Sequence, residues 1–77
     1  MDTMEMKCKI QMTWDDESDV WMATSDDVPG LVLEHSSFDV LVERVRLASP
    51  ELLALNCDYS GKVILNFTIL RCERLAV

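Results

Sequence analysis

The side chains in this sequence that could bind or catalyse are mainly carboxylates, and they fall in two short runs. The first run is Asp15-Asp16-Glu17-Ser18-Asp19 and the second is Asp26-Asp27. A calcium-binding EF-hand loop needs a longer spacing, a central Gly and a distal Glu, and a two-metal site needs carboxylates that converge on a rigid, dry position. The EF-hand spacing is absent from both runs, and residues in turns do not form a rigid, dry site. The runs therefore indicate a surface for a basic partner, or one that only keeps a small protein soluble.

Other kinds of chemistry have little support in the sequence. His35 is the only histidine, so a nucleophile would have to use it as the base, and nothing marks it as more than a partly exposed residue at a strand end. Two glycines are too few for a phosphate-binding loop. Trp14 and Trp21 could stack on RNA bases, but without basic neighbours they are better explained by core or interface burial. We expect no enzyme activity, metal or cofactor.

Composition limits the class of protein further. The chain has 77 residues and a formal net charge of −7, with the acids concentrated in residues 1–39. Nucleic-acid binders need clustered bases, and the seven here are scattered, so we expect no direct binding to DNA or RNA. Neither a signal peptide nor a membrane-length apolar run is present. Three widely spaced cysteines predict buried, reduced thiols in a cytoplasmic protein.

The hydrophobic periodicity predicts three strands, a helix and a fourth strand. Residues 6–14 alternate between apolar and polar side chains, as a half-buried strand does, and residues 20–25, 31–35 and 62–72 read as the other strands. Pro29-Gly30 suits the centre of a type II turn. A helix should start at Ser36 as N-cap and end near Asn56, which suits a left-handed C-cap, with Pro50 kinking or breaking the helix. Its apolar stripe is predicted to consist of Phe38, Leu41, Val42, Val45, Ala48, Leu52 and Leu55.

These elements predict an α+β fold of order β-β-β-α-β, with an antiparallel sheet packed on one Pro-kinked or broken helix. We expect one domain over residues 1–77, with residues 1–5 frayed. The fourth strand is apolar on both faces, which suits a well-covered strand or one that meets another subunit. Together with the thin core available to so short a chain, this favours a homodimer.

The order of motifs resembles the HicB-like antitoxin superfamily. The likeness rests on Trp14-Asp15, the acidic turn, Val20-Trp21-Met22-Ala23-Thr24-Ser25 and Asp27-Val28-Pro29-Gly30-Leu31. The helix start Ser37–Leu41 and the run Ala48–Asn56 look most like a small bacterial branch of unknown function. The resemblance implies a partial RNase H-like fold, dimerisation and binding to a small basic RNA-cleaving toxin. It also implies a carboxy-terminal DNA-binding domain in many members, and the present sequence stops soon after the fourth strand, so we expect neither that domain nor operator binding.

The resulting functional hypothesis is an antitoxin-type module that binds a basic protein through its acidic turns. The alternative is a stand-alone homodimer with a scaffolding or modulatory role. The residues predicted to contact a partner, with Trp21 as an apolar anchor, are Asp15, Asp16, Glu17, Trp21, Asp26 and Asp27.

Overall fold

The fold is a four-stranded sheet with one helix on one face, seen in a computed structural model that describes residues 4–73, 75 and 76. The strands are β1 (Glu5–Asp15), β2 (Val20–Thr24), β3 (Val32–His35) and β4 (Lys62–Leu70), and the helix is α1 (Phe38–Cys57). The predicted α+β class and element order are confirmed.

The sheet is mixed, which corrects the expected antiparallel arrangement. The strand order is β3-β2-β1-β4, and β4 runs parallel to β1 over nine residue pairs, from Glu5 opposite Lys62 to Thr13 opposite Leu70. The connection from β3 through α1 crosses over the sheet before β4 begins, and a crossover of this length allows a parallel return. β1 is therefore a central strand, which explains why its inward residues Cys8, Ile10 and Met12 are completely buried.

Residues 1–3 of the expected frayed segment lie outside the described residues. Met4 and Glu5 are paired instead: the backbone N–H of Lys62 donates to the carbonyl of Met4 at 3.0 Å, and Glu5 begins β1. The amino-terminal end of β1 is thereby tied to the start of β4.

The turn between β2 and β3 forms as the sequence predicts. Gly30 has φ of +86°, and the backbone N–H of Leu31 donates to the carbonyl of Val28 at 3.1 Å. Pro29 and Gly30 thus occupy the two central positions of a type II turn, where glycine is favoured because its φ is positive. Asn56 was expected to cap the helix, but its amide donates to the carbonyl of Pro29 at 3.1 Å and ties this turn to α1.

The helix boundaries differ from the predictions at both ends. Ser37, rather than Ser36, is the N-cap, and its hydroxyl accepts from the backbone N–H of Val40 at 3.3 Å. Asp58, rather than Asn56, is the left-handed C-cap with φ of 52°. Both Ser36 and Ser37 can accept such a bond, so the choice between them depends on where the chain leaves β3.

The helix runs without a break from residue 38 to 57, so the predicted break at Pro50 does not occur. Proline removes the N–H that would reach the carbonyl of Arg46, but Arg46 and Pro50 are both exposed, and water can satisfy that carbonyl. On the buried side, the Ser49 hydroxyl donates to the carbonyl of Val45 at 2.7 Å.

The helix packs on β2 and β3 and covers that half of the sheet. Most of the predicted stripe faces inward, but Leu55 is 80 % exposed and Leu53 is buried in its place. Leu53 lies eight residues after Val45 and therefore on the same face of the helix. The buried hydrophobic residues are Cys8, Ile10, Met12, Trp21, Ala23, Val28, Leu31, Leu41, Val45, Leu53 and Tyr59.

Candidate protein-binding surface

The two acidic runs lie at opposite ends of β2, because β2 leaves the first turn at Val20 and enters the second after Thr24. A five-residue strand spans about 17 Å. The structure therefore does not bring Asp15, Asp16 and Glu17 together with Asp26 and Asp27. They form two separate acidic patches, and a partner that contacts both must be wide enough to span β2.

The first patch follows the end of β1 and is ordered by its own carboxylates. The backbone N–H of Glu17 donates to Asp15 Oδ1 at 3.1 Å, and the Trp14 indole N–H donates to Asp16 Oδ1 at 3.4 Å. Asp19 takes a positive φ of 54° and turns the chain into β2. The Glu17 side chain has no hydrogen-bond partner among the described residues. A shallow depression of about 330 Å³, lined by Trp14, Asp15, Asp16 and Glu17, marks this patch on the surface.

The second patch is attached to the middle of β1. The backbone N–H of Lys9 donates to Asp27 Oδ2 at 2.7 Å, and the Ser25 hydroxyl donates to the carbonyl of Lys9 at 2.6 Å. The same hydroxyl accepts from the backbone N–H groups of Asp27 and Val28 at 3.0 and 3.2 Å. Asp27 thus has a structural role that the sequence did not reveal. Asp26 is exposed and makes no side-chain hydrogen bond within the described residues.

This difference between Asp26 and Asp27 predicts unequal effects on stability. Asp27→Ala should lower the free energy of unfolding by about 1 kcal/mol, less than the roughly 1.5–3 kcal/mol typical of hydrogen bonds to charged groups, because the site is exposed. Asp26→Ala, its matched neighbour, should change it by less than about 0.5 kcal/mol. Urea unfolding followed by circular dichroism measures both. Equal effects of the two substitutions would contradict the structural role of Asp27.

Trp21, the predicted anchor, lies inside the protein and is 8 % exposed. Its ring packs against Trp14 at 5.3 Å and against Phe38 at 4.9 Å between centroids. Trp14 is half-buried, so it is the tryptophan that a partner at the first patch can contact directly. The buried Trp21 ring packs against Trp14 and holds it in position.

Arg71 belongs to this aromatic cluster, although no pattern in the sequence indicated it. Its guanidinium carbon lies 4.6 Å from the Trp14 ring centroid and 5.7 Å from that of Trp21, within cation–π range. The same guanidinium pairs with Glu73 at 2.8 Å. Arg71 reaches Trp14 because parallel pairing places Leu70 opposite Thr13, and only that pairing could have revealed the contact.

The remaining chemical groups are not arranged as a reactive centre. His35 ends β3, partly exposed as predicted, and its Nδ1 accepts from the backbone N–H of Ser37 at 2.8 Å. No group of three or more His, Cys, Asp or Glu side chains among residues 4–73, 75 and 76 is placed to hold a metal ion. No helix in that part of the chain is long and apolar enough to cross a membrane.

The expectation of buried thiols is right for Cys8 and wrong for Cys57 and Cys72, which are exposed. Burial raises the pKa of the Cys8 thiol, and the nearby Asp27 carboxylate and Cys57 add to the increase. Cys8 is therefore protonated at neutral pH and unreactive.

Comparison with known proteins places the chain in a family. Residues 7–77 match a family described as "Domain of unknown function (DUF1902)". The chain belongs to this DUF1902 family. A solved structure of the hypothetical protein TTHA1013 from the extremely thermophilic bacterium Thermus thermophilus is similar, with a TM-score of 0.69 and 32 % sequence identity over 94 % of this chain and 100 % of that one. Among curated proteins, none matches this chain.

Proposed function

We propose that this DUF1902 domain is an HicB-like, antitoxin-type binding module of the bacterial cytoplasm that neutralises a small basic RNA-cleaving toxin. The observation that carries the proposal is the placement of charge: most acids of the two patches lie in exposed turns, and these turns flank β2. Complementary charge speeds the encounter with a basic partner and sets its orientation.

The roles of the six predicted residues can be assigned within this proposal. Glu17 and Asp26, whose carboxylates are free of hydrogen bonds within the described residues, provide the charge that a partner's Lys and Arg side chains can bind. Asp15, Asp16 and Asp27 give each turn its shape through backbone and indole N–H groups. Trp21 holds Trp14 in place as the apolar contact. The proposed activity is binding alone, with no chemical step.

The test is capture of partners by the tagged full chain from the bacterium that encodes it, at low and at moderate salt. We expect a small basic protein that salt releases. The double variant Glu17→Lys/Asp26→Lys should bind it at least about tenfold more weakly, with a weaker dependence on salt, because two rim charges are reversed.

The matched control is Glu34→Lys/Glu51→Lys, which makes the same change in net charge at exposed positions on β3 and α1. It should retain the partner. The purified partner should then cleave RNA alone and lose that activity when the wild-type chain is added. Equal binding by the two double variants would show that the acidic turns only solubilise the protein.

A second candidate, a stand-alone homodimer with a scaffolding or modulatory role, is favoured by one observation. The edge strand β4 has exposed apolar residues, of which Ile69 is 56 % and Leu70 is 59 % exposed. This candidate predicts a stable dimer and no basic partner in the capture experiment.

A further inference from the structure

The outer edge of β4 is the least protected part of the sheet. β4 has nine residues and pairs with β1 on one side, while no other strand of the described residues lies against its other side. From Val63 to Leu70 the sequence has neither a charged residue nor a proline. Natural edge strands usually carry such residues or are short, because unpaired backbone groups attract another strand.

The opposite edge of the sheet shows the usual protection. β3 has four residues, and two of them are Glu34 and His35. The contrast between the two edges within one small sheet indicates that β3 is built to stay unpaired and that β4 is not.

Both faces of β4 are also incompletely covered. On the helix side, Val63, Leu65 and Phe67 are only partly buried and Ile69 is exposed, because α1 packs on β2 and β3 at the other side of the sheet. On the open side, Leu70 is exposed. A further strand paired with the outer edge of β4 would place its own side chains beside these residues.

The chain is more extended than a compact domain of its length. Its radius of gyration is 14.3 Å and its dimensions are 58 × 20 × 19 Å. A compact chain of this length has a radius of gyration of about 11.5 Å. The residues described after β4 are exposed, and Leu75 is 82 % exposed. An apolar side chain in such a segment lacks the contacts within its own chain that would bury it.

We propose that β4 pairs antiparallel with β4 of a second copy of this chain about a two-fold axis, forming one continuous eight-stranded sheet. This pairing involves only copies of this chain and is independent of toxin binding. A two-fold interface must be self-complementary, and β4 meets this condition. If all nine residues of β4 pair, the two-fold axis passes next to Asn66, which then lies opposite the partner's Asn66. Val63 then faces the partner's Ile69 and Leu65 faces the partner's Phe67, so apolar residues meet on the helix side.

The distribution of charge permits this occupant although each chain carries −7. The first acidic patch begins at Asp15, two residues beyond the last pair that joins β1 to β4, and the second patch lies between β2 and β3. The charged residues that bound the uncharged run of β4 are the bases Lys62 and Arg71. Two copies therefore meet along an edge that carries no acidic side chain from Lys62 to Arg71, and repulsion between their acidic residues acts only over longer distances, where salt screens it.

The same pairing would also fill an apolar hollow beside the start of β4. The hollow has a volume of about 320 Å³ and includes Pro50, Ala54, Tyr59 and Val63 in its lining. With Leu70 opposite the partner's Lys62, the residues that follow Leu70 run past the partner's Gly61. They bring the carboxy-terminal segment to the partner's hollow, where Leu75 can be buried.

Sedimentation velocity on the full chain over a concentration series tests the interface. We expect a dimer, and Ile69→Lys should raise its dissociation constant at least about tenfold, because the ammonium group would be forced into the apolar row. Leu55→Lys is the matched control on the exposed face of α1 and should stay dimeric. Since Ile69 is more than half exposed, the variant should fold, and circular dichroism checks this.

Two results would overturn the proposal: a monomeric wild-type chain at every concentration, or an Ile69→Lys variant that dimerises like the wild type. The acid-turn variant Glu17→Lys/Asp26→Lys should remain dimeric. Failure of the dimer and failure of toxin binding are therefore distinguishable.

A cysteine at the proposed two-fold axis tests the register. In a Cys57→Ser/Cys72→Ser background, Asn66→Cys should form a disulfide-linked dimer on mild oxidation, because directly opposed residues have Cα atoms within disulfide range. Thr68→Cys, two residues away on the same face, faces the partner's Ile64 and should not crosslink. Equal crosslinking of both variants, or of neither, would overturn the Asn66-centred pairing.

Discussion

Ile10→Ala is expected to lower the free energy of unfolding by about 2–5 kcal/mol, the range for removing large aliphatic side chains from a core. Ile10 is completely buried at the centre of β1, between β2 and β4. A small domain has a total stability of about 5–15 kcal/mol, so the substitution should remove a large share of it. The physical reason is the cavity left between the sheet and the helix, where close packing prevents full relaxation.

Two controls separate burial from strand position. Ile10→Val keeps most of the volume and should cost about 0.5–1.5 kcal/mol. Gln11→Ala changes the next residue of the same strand, which is exposed on the other face, and should cost less than about 0.5 kcal/mol. Urea unfolding at equal protein concentrations gives all three values. A loss for Ile10→Ala no larger than that for Gln11→Ala would contradict the position of the core.

Gly61→Ala is the second large effect, expected at about 1–3 kcal/mol, the usual cost of overpacking. A β-carbon at position 61 would lie 2.5 Å from the Tyr59 hydroxyl oxygen and 3.0 Å from the β-carbon of Met4. Tyr59 cannot move aside freely, because it is buried and its hydroxyl donates to the carbonyl of Lys62 at 2.5 Å. The reason for glycine at this position is therefore space for Tyr59.

A double-mutant cycle with Tyr59→Phe checks this explanation. Tyr59→Phe alone should cost about 0.5–1.5 kcal/mol for the lost hydrogen bond. Because it also removes the nearest atom, Gly61→Ala should cost less in the Tyr59→Phe background than in the wild type. Ser60→Ala, at the exposed neighbouring position, serves as the control with little effect. If Gly61→Ala costs the same in both backgrounds, the contact with the hydroxyl is not the cause.

For function, the structure changes which residues are worth substituting. The six residues proposed from the sequence differ in their contacts: Asp27 and Asp16 accept hydrogen bonds that shape their turns, and Trp21 is buried. A charge reversal at Asp27 would destabilise the fold as well as change the surface, so a loss of binding could not be attributed to charge alone. Glu17 and Asp26 avoid this difficulty, which is why the binding test uses them.

Local patterns in the sequence were enough to predict the type and order of the secondary-structure elements, but not the caps of α1 or its continuity through Pro50. Alternating side chains defined β1, the three- and four-residue steps from Phe38 to Leu52 defined α1, and Pro29-Gly30 defined the turn before β3. These features depend on neighbours within a few residues, through side-chain direction and allowed φ angles. The α+β class could be predicted because it follows from the order of such elements.

The contacts between residues that are distant in the sequence, by contrast, could be seen only in the tertiary structure. The parallel pairing of β4 with β1 brings Arg71 to Trp14, and the position of the second turn brings Asp27 to Lys9. The sequence pattern did not determine the direction of β4, which we predicted to be antiparallel, or the role of Asp27, because these contacts join residues that are far apart in the chain. Packing of the helix on β2 and β3 selected one arrangement, and that arrangement separated the two acidic patches and left the outer edge of β4 without a strand from the described residues.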